Sequence, residues 1–489
     1  MKLIKKKKMK TINLFCKSVV ILLFAGFTMN TVAARTTKKE TVTKVYSITP
    51  SGNLDIVSSF GTNIEILTWG RNEVKVLSEL TYEEGNNKDD IDKLLNAFKN
   101  MSAESSGNVL KLNLTLIKSS IQVGAFRLSK TTTILYNDEK TSLDGNKIKT
   151  TYTIWIPENL NIKIDSKFGK LKIASIKGNV DVSLSNNDME MGDFGASGIF
   201  NTRFSTLTVG SGGTSKFDVN NGNVNAAELK NVTINARFSN FEIAKAHDVS
   251  MEINNGTAVF GMLNDINATA RFSTIRIESN AGKSKFDFNN SNLFGKNFQT
   301  MEISARFSTI RIENIADKSK FDFHNSTLFG KNFQTMEIST AKFSKFNVTI
   351  IDNLKINSSH NSNFDFNTVN TFMCRESRFS TFEFDEIVVE ASFPNTHNSD
   401  IFVNRTSTSF TGFSGNFRFG TINLKINPSV EYNLNYEGTF GQLNTISSDK
   451  FKTRLVSEKS GSKTTIQGVN AGAKCNIEIV ANNTNCRIE

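Results

Sequence analysis

RFSTIRIESNAGKSKFDFNNSNLFGKNFQTMEISA occupies Arg271–Ala305, and RFSTIRIENIADKSKFDFHNSTLFGKNFQTMEIST follows directly as Arg306–Thr340. Aligned without a gap, 29 of the 35 positions are identical. Copies this close mark a duplicated structural unit, and such a period outranks any local propensity. The opening triplet returns as Arg203-Phe204-Ser205, Arg237-Phe238-Ser239 and Arg378-Phe379-Ser380, with Lys342-Phe343-Ser344 before the last of these. Successive starts lie 34, 34, 35, 36 and 36 residues apart.

Apolar residues inside one unit recur every second position, as in Ile275-Arg276-Ile277, Phe286-Asp287-Phe288 and Met301-Glu302-Ile303. That is the period of half-buried strands, and the Asn, Ser, Gly and Lys between them make turns. Strands this short hold no core alone; stacked copies bury the face each neighbour exposes. Ile275 is followed 18 residues later by Leu293, and Leu293 by Ile310 after 17. The expected fold is therefore all-β. It is a β-solenoid of about 17–18 residues per rung, two rungs per repeat and two main strands per rung, with rungs about 4.8 Å apart. The Phe of each Arg-Phe-Ser triplet lies off the strand alternation and is expected at a corner, pointing inward. Stacked corner rings would help to account for 40 Phe beside two Trp, and the four Pro remove few backbone donors from the sheets.

The chain begins with a run of Lys (Lys5–Lys8, Lys10), then an apolar stretch Val19–Phe27 and the small residues Val32-Ala33-Ala34. This order is that of a secretory signal peptide over residues 1–34, too short in its apolar part to stay as a membrane anchor. Cys16 lies before the apolar run, where it is badly placed for lipid attachment. Removing the segment takes seven Lys and no acid, so the mature chain carries 58 − 7 = 51 basic against 47 acidic residues, net +4. The sequence pI near 9.3 is then largely a property of the leader. It gives no support to nucleic-acid binding, which needs a concentrated basic face. The expected location is extracytoplasmic: periplasm, outer surface or secreted.

Residues 35–157 read as a separate β-rich module with one helix near 88–101. Ile91, Leu94, Leu95 and Phe98 fall on one helical face, and Asp89 or Asp90 suits its N-terminus. Asp144-Gly145 is a hairpin signal joining Thr131–Tyr136 to Lys147–Ile156. Residues 158–390 form the repeat solenoid and 391–489 its loosened C-terminal rungs and cap. In that last part Ser457–Gly468 reads as a polar turn region, and Asn476–Val480 with Cys486–Ile488 as the final strands. The run Asn53-Leu-Asp-Ile-Val57, Phe60-Gly61, Ile64-Glu-Ile66, Trp69 and Val74-Lys-Val76 resembles the opening of a bacterial candidate-adhesin family of unknown function. So does Tyr152-Thr-Ile-Trp-Ile-Pro157 leading into Phe168-Gly169-Lys-Leu171-Lys-Ile173. The resemblance covers roughly residues 45–489. It implies a β-solenoid envelope protein of the head-domain-like autotransporter-adhesin type, and no catalytic residues. The high Asn and Phe content and the near-identical duplication depart from that pattern.

Three Cys follow the leader: Cys374, Cys475 and Cys486. In an oxidising compartment Cys475 and Cys486 are a possible disulfide across a C-terminal turn, with two free buried thiols as the alternative. No Cys pair has metal-binding spacing. The four His (His247, His324, His360, His397) include one that is Asn289 in the sister copy, which argues against catalysis there. No nucleophile elbow, His-Glu-x-x-His or phosphate-binding loop is present, so no enzyme activity and no cofactor is expected. Outward positions offer two candidate columns. Arg276, Phe294, Arg311 and Phe329 are expected to stack as a binding face with cation–π contacts, unless the two Phe turn inward beside Gly295 and Gly330. Asp287, Glu302, Asp322 and Glu337 are expected on consecutive rungs, either as a solvated face or as a weak, shared cation site. The expected function is an exported, non-catalytic solenoid of the cell envelope with a binding or adhesive role. Its partner would be an unknown surface ligand, glycan or protein. The alternatives are a structural or envelope-sensing protein of the periplasm and a glycan-active β-helix enzyme.

Overall fold

The computed structural model describes residues 37–83, 87–101, 103–123, 130–445 and 451–489. The expected signal peptide, residues 1–34, lies outside the described residues. The chain winds as a parallel β-solenoid. In the duplicated region one rung is one long bent strand: Thr274–Asn289, Asn292–Arg306, Thr309–His324 and Thr327–Lys342. Neighbouring rungs pair in parallel, which places Ile275, Leu293, Ile310 and Leu328 in one buried column and Phe286, Ile303, Phe321 and Ile338 in another. One residue more or less at the gentle bend, between Asn280 and Lys283, changes a rung from 17 to 18 residues and appears as a register shift.

The tight corner between rungs is built by one residue with positive φ followed by Ser. Phe272, Asn290, Phe307 and Asn325 have φ of 50°, 50°, 51° and 49°. A left-handed residue breaks the in–out parity of the strand: its own side chain leaves the core and the next one enters it. Phe272 and Phe307 are therefore 61% and 60% exposed, and the inward-pointing corner Phe expected from sequence is corrected. The buried corner residue is Ser. Ser291 Oγ accepts from the Ser273 N–H at 3.2 Å, and Ser308 Oγ from the Ser291 N–H at 3.1 Å. Each hydroxyl also donates to the carbonyl two residues back, Ser308 to Arg306 at 2.7 Å. The Ser column thus satisfies backbone groups that the turn would otherwise bury unpaired. The Phe of the core come instead from strand interiors. Phe346, Phe364 and Phe382 stack along the axis with centroids 5.0 and 4.7 Å apart.

The ladder does not stop at Pro157. Asn53–Ser58 and Thr62–Trp69, on either side of Phe60, form a rung beneath Asn161–Lys167 and Gly169–Ile173. Antiparallel strands complete this end: Glu73–Glu83 runs between Thr37–Ser47 and Lys149–Pro157. The helix spans Lys88–Lys99, with Leu94 and Phe98 buried, and its cap is Asn87, whose side chain accepts from the Asp89 N–H at 3.2 Å. Asp90, expected as a capping candidate, instead turns inward and accepts from the Ser142 N–H at 3.1 Å and from its hydroxyl. Burial pushes this carboxyl up, but hydrogen bonds from Ser142 and Thr141 together with the Lys93 charge outweigh it and leave its pKa lowered. The hairpin expected at Asp144-Gly145 is not formed. Asp144 caps a single 3-10 turn, Gly145–Lys147, while Lys130–Leu135 pairs in a separate three-stranded sheet. Gly145 is there because a Cβ would lie 2.6 Å from that of Ser120.

The C-terminal end also differs from expectation. Cys475–Ile488 is not the last rung: it pairs with Gly412–Leu424 on one side and with Tyr432–Thr439 on the other. The cap is the region read as a polar turn, a hairpin of Arg454–Ser460 and Lys463–Val469 laid antiparallel on Tyr432–Thr439. An antiparallel lid ends a parallel stack without offering another parallel edge. The Cys475–Cys486 disulfide is corrected as well. Both thiols are free and buried on the strand Cys475–Ile488, Cys475 beside Tyr432 and Cys486 beside Ile422 and Leu443, on opposite sides of its left-handed corner at Asn483. Burial pushes the Cys475 thiol up to about 11, and the Cys374 and Cys486 thiols up to about 12. Because folding favours the neutral thiol, this contribution is intact below the ordinary thiol value of 9.0 and is lost as pH rises through the folded values. Iodoacetamide at pH 8 is expected to leave Cys374, Cys475 and Cys486 unmodified in the native protein and to modify all three in denaturant, by peptide mass mapping. Rapid native labelling of Cys475 or Cys486 would contradict the burial.

Candidate binding face

Strand alternation sends every second side chain to solvent, and the pairing decides which outward residues become neighbours. Arg276, Phe294, Arg311 and Phe329 do fall in one column, continued by Val259 below and Asn347 above. Both rings point outward. Gly295 takes the inward place beside Phe294, where a Cβ would meet the Phe298 ring at 2.2 Å, so the glycine makes room for a core ring rather than turning Phe294 in. The Arg276 guanidinium lies 4.6 Å from the Phe294 centroid, and Arg311 lies 5.7 Å from Phe294 and 4.7 Å from Phe329. Arg311 is thus held between two rings. The cation stacks on the negative ring face and its donor edge stays free for a carboxylate or hydroxyl.

This ladder floors an open groove of about 780 Å³. One side is a column of alternating charge, with Lys296 2.6 Å from Glu278 and Lys331 3.1 Å from Glu313. The hydrogen bond to Glu278 keeps the Lys296 ammonium above its ordinary pKa. The groove offers aromatic faces, paired charges and two stacked guanidinium groups, a surface for polar ligands with some apolar area. The described residues contain no group of three or more His, Cys, Asp or Glu arranged to hold a metal ion.

The acidic column is corrected. Glu302 pairs with Lys285 and Lys320, and Glu337 with Lys320 and Lys355, whereas Asp287 faces Ser304 and Asp322 faces Ser304 and Thr340. The four acids lie in two columns, each acid separated from the next by Lys or a hydroxyl residue. Matching Phe286 to Met301 instead of Ile303 preserves the in–out parity, so alternation alone could not expose the two-residue slip. Counting back from the corners does: Asp287, Ser304 and Asp322 each lie three residues before Asn290, Phe307 and Asn325. Glu337 is held below the usual carboxylate range chiefly by the Asn357 side chain, which donates to it at 3.0 Å, and further by Lys318 and Lys355. These neighbours use the carboxylate and leave no shared cation site. His324 sits 3.9 Å from Asp322, while His360 and His397 lie beside corner rings.

The exposed corner Phe were missed as surface residues. Their signal was the Ser that follows them, shared by Asn289-Asn290-Ser291 and His324-Asn325-Ser326 on the intervening rungs.

Ladder and lid together define the class: a parallel β-solenoid closed at each end by antiparallel strands. No family model and no curated protein matches the chain. A crystal structure of a candidate cell adhesion protein from Clostridium sporogenes aligns with 92% of this chain and 99% of its own, at 8% identity and a TM-score of 0.15. A candidate adhesin from Bacteroides fragilis aligns with 61% of this chain and 97% of its own, at 13% identity and a TM-score of 0.17. At these scores the fold stands on the pairing ladder described above. No described helix is long and apolar enough to cross a membrane.

Proposed function

We propose that this protein is an exported, non-catalytic binding protein of the cell envelope with an adhesive role. The observation that carries this reading is the Arg276–Phe294–Arg311–Phe329 ladder, which keeps two aromatic rings and two guanidinium groups at an open groove. A solvated face needs neither the rings nor their stacking partners. A stiff stack repeats weak contacts along its length, and repetition converts weak contacts into firm attachment. Export rests on the leader-like residues 1–34.

The test uses the full chain on an array of bacterial and host glycans and matrix proteins, beside the variant Arg276→Ser/Phe294→Ser/Arg311→Ser/Phe329→Ser. Wild type is expected to bind a restricted set of spots, and the variant to lose roughly tenfold or more in apparent affinity with an unchanged melting temperature. No binding by wild type anywhere on the array, or new reducing ends after incubation with the bound glycans, would overturn the reading.

A further inference from the structure

From Phe168 to Phe419 the left-handed corner residue alternates strictly between Phe and Asn, rung by rung. Asn enters this conformation readily because its short side chain hydrogen-bonds locally; Phe gains nothing of the kind. The local bond is made on the Asn rungs: Asn255 Nδ2 donates to Asn254 at 2.7 Å, and Asn290 Nδ2 to Asn289 at 2.7 Å. On the Phe rungs the rings of Phe238, Phe272, Phe307 and Phe343 are 60%, 61%, 60% and 58% exposed. The intervening rungs demonstrate that Asn serves the same turn. Folding therefore does not require the rings, and strain at exposed side chains points to a surface that meets something.

The neighbours follow the same two-rung rhythm. Each of these Phe, from Lys167-Phe168 to Arg418-Phe419, is preceded by Lys or Arg; on the Asn rungs that position is Ser, Asn or His. Arg378 is paired with Glu376 at 2.8 Å, but among the described residues Arg237, Arg271, Arg306 and Lys342 have no carboxylate partner. Over the central rungs, from Asn221 to Phe343, the acids lie on the Asn rungs. Asp218, Glu252, Asp287 and Asp322 lie three residues before Asn corners, where the Phe rungs have Asn235, Thr269, Ser304 and Thr340. Toward the C-terminus the His360 ring sits 6.0 Å from Phe343 and 5.8 Å from Phe379, so the stripe becomes a continuous aromatic edge.

We propose that this corner stripe binds a linear polysaccharide carrying one carboxylate per disaccharide. The inference rests on the binding reading above but uses a different surface. From Arg237-Phe238 to Lys342-Phe343, one ring and one cation without a carboxylate partner recur every two rungs, roughly 9.5 Å, about the length of an extended disaccharide. The C–H face of a pyranose stacks on the negative face of a Phe ring, and the carboxylate meets the adjacent guanidinium. A ligand must repeat its chemistry to use so many equivalent positions, as a polysaccharide does. From Phe238 to Phe343 the rings are separated by the Asn rungs and form no contiguous apolar patch, unlike the core of a protein interface. A second copy of the chain would set cations against cations. A polymer charged on every unit, nucleic acid included, would meet an acid on the four intervening rungs of Asn221, Asn255, Asn290 and Asn325.

The experiment measures binding of the full chain to fluorescent hyaluronan fragments of increasing length, by anisotropy. Carboxyl-reduced hyaluronan, polygalacturonate, polyglutamate and poly-dT are the comparators. The variants are Phe238→Asn/Phe272→Asn/Phe307→Asn/Phe343→Asn and the groove variant of the preceding section. Hyaluronan affinity is expected to rise with fragment length, to fall with salt and to fall on the order of tenfold to a hundredfold in the corner variant. That variant should melt no lower than wild type, since Asn already serves this turn. The groove variant should bind hyaluronan as wild type does. No hyaluronan binding by wild type, equal binding by the corner variant, or equal binding of the carboxyl-reduced polymer overturns the proposal. Tighter binding of polyglutamate or poly-dT overturns it in favour of an acidic protein or a nucleic acid. Array binding lost only in the groove variant leaves the binding function standing and removes the stripe from it.

Discussion

Phe364→Ala is expected to destabilise the protein by about 3–5 kcal/mol. Phe364 is 1% exposed and stacked between Phe346 and Phe382, its ring within 4° of parallel to that of Phe382. Removing the ring leaves a cavity whose walls are two rungs locked by parallel pairing on both sides, so the site cannot collapse to fill it. The same deletion at the corner, Phe307→Ala, removes a ring already 60% exposed and is expected to cost little. Guanidinium unfolding of the two variants checks both. The expected result is a large loss of midpoint for Phe364→Ala at unchanged slope and a small change for Phe307→Ala. A loss below about 1 kcal/mol at Phe364 would mean that the ring column does not hold these rungs together.

Deleting Arg271–Ala305 is expected to leave a folded protein two rungs, roughly 10 Å, shorter. The cut joins Ala270 to Arg306, and Arg306 begins the same Arg-Phe-Ser-Thr-Ile-Arg-Ile sequence that Arg271 began. The strand Thr257–Arg271 pairs with Thr274–Asn289, with one register shift between Leu263 and Ile266, and after the deletion meets the equivalent residues of Thr309–His324. The corner at the junction is again Phe followed by Ser, and the Phe–Asn alternation is preserved because two rungs leave together. Rungs touch only their neighbours, so melting temperature should change little. Removing one rung instead, Asn290–Arg306, would join Asn289 to Phe307 and place two Phe corners on successive rungs. Scattering measurements of the longest dimension distinguish a shortened rod from an unfolded chain. If the two-rung deletion unfolds the protein and the one-rung deletion does not, the period is not 35 residues.

Much of this architecture was legible. Period-two alternation in Ile275-Arg276-Ile277 and Phe286-Asp287-Phe288 specifies which side chains face the core, and the near-identical copies specify the repeat. The Arg276–Phe294–Arg311–Phe329 column was legible because Ile275, Leu293 and Ile310 recur at the rung length just after a fixed corner. The acidic column was not, because its residues lie beyond the bend, where rungs gain or lose a residue between Asn280 and Lys283.

The sequence by itself determined that the chain is all-β, stacks in rungs of 17–18 residues, carries a helix near 88–101 and buries alternate residues of each strand. These are local facts, set by side-chain period and by repetition. Tertiary structure alone decided the rest. It turned the corner Phe outward, because a left-handed residue reverses the in–out parity that a sequence pattern assumes to be continuous. It paired Glu302 with Lys285 rather than with Asp287, because a shift of two residues leaves that parity unchanged. It inserted Cys475–Ile488 between earlier strands and closed the end with a hairpin, because the order of rungs in space need not follow their order in the chain.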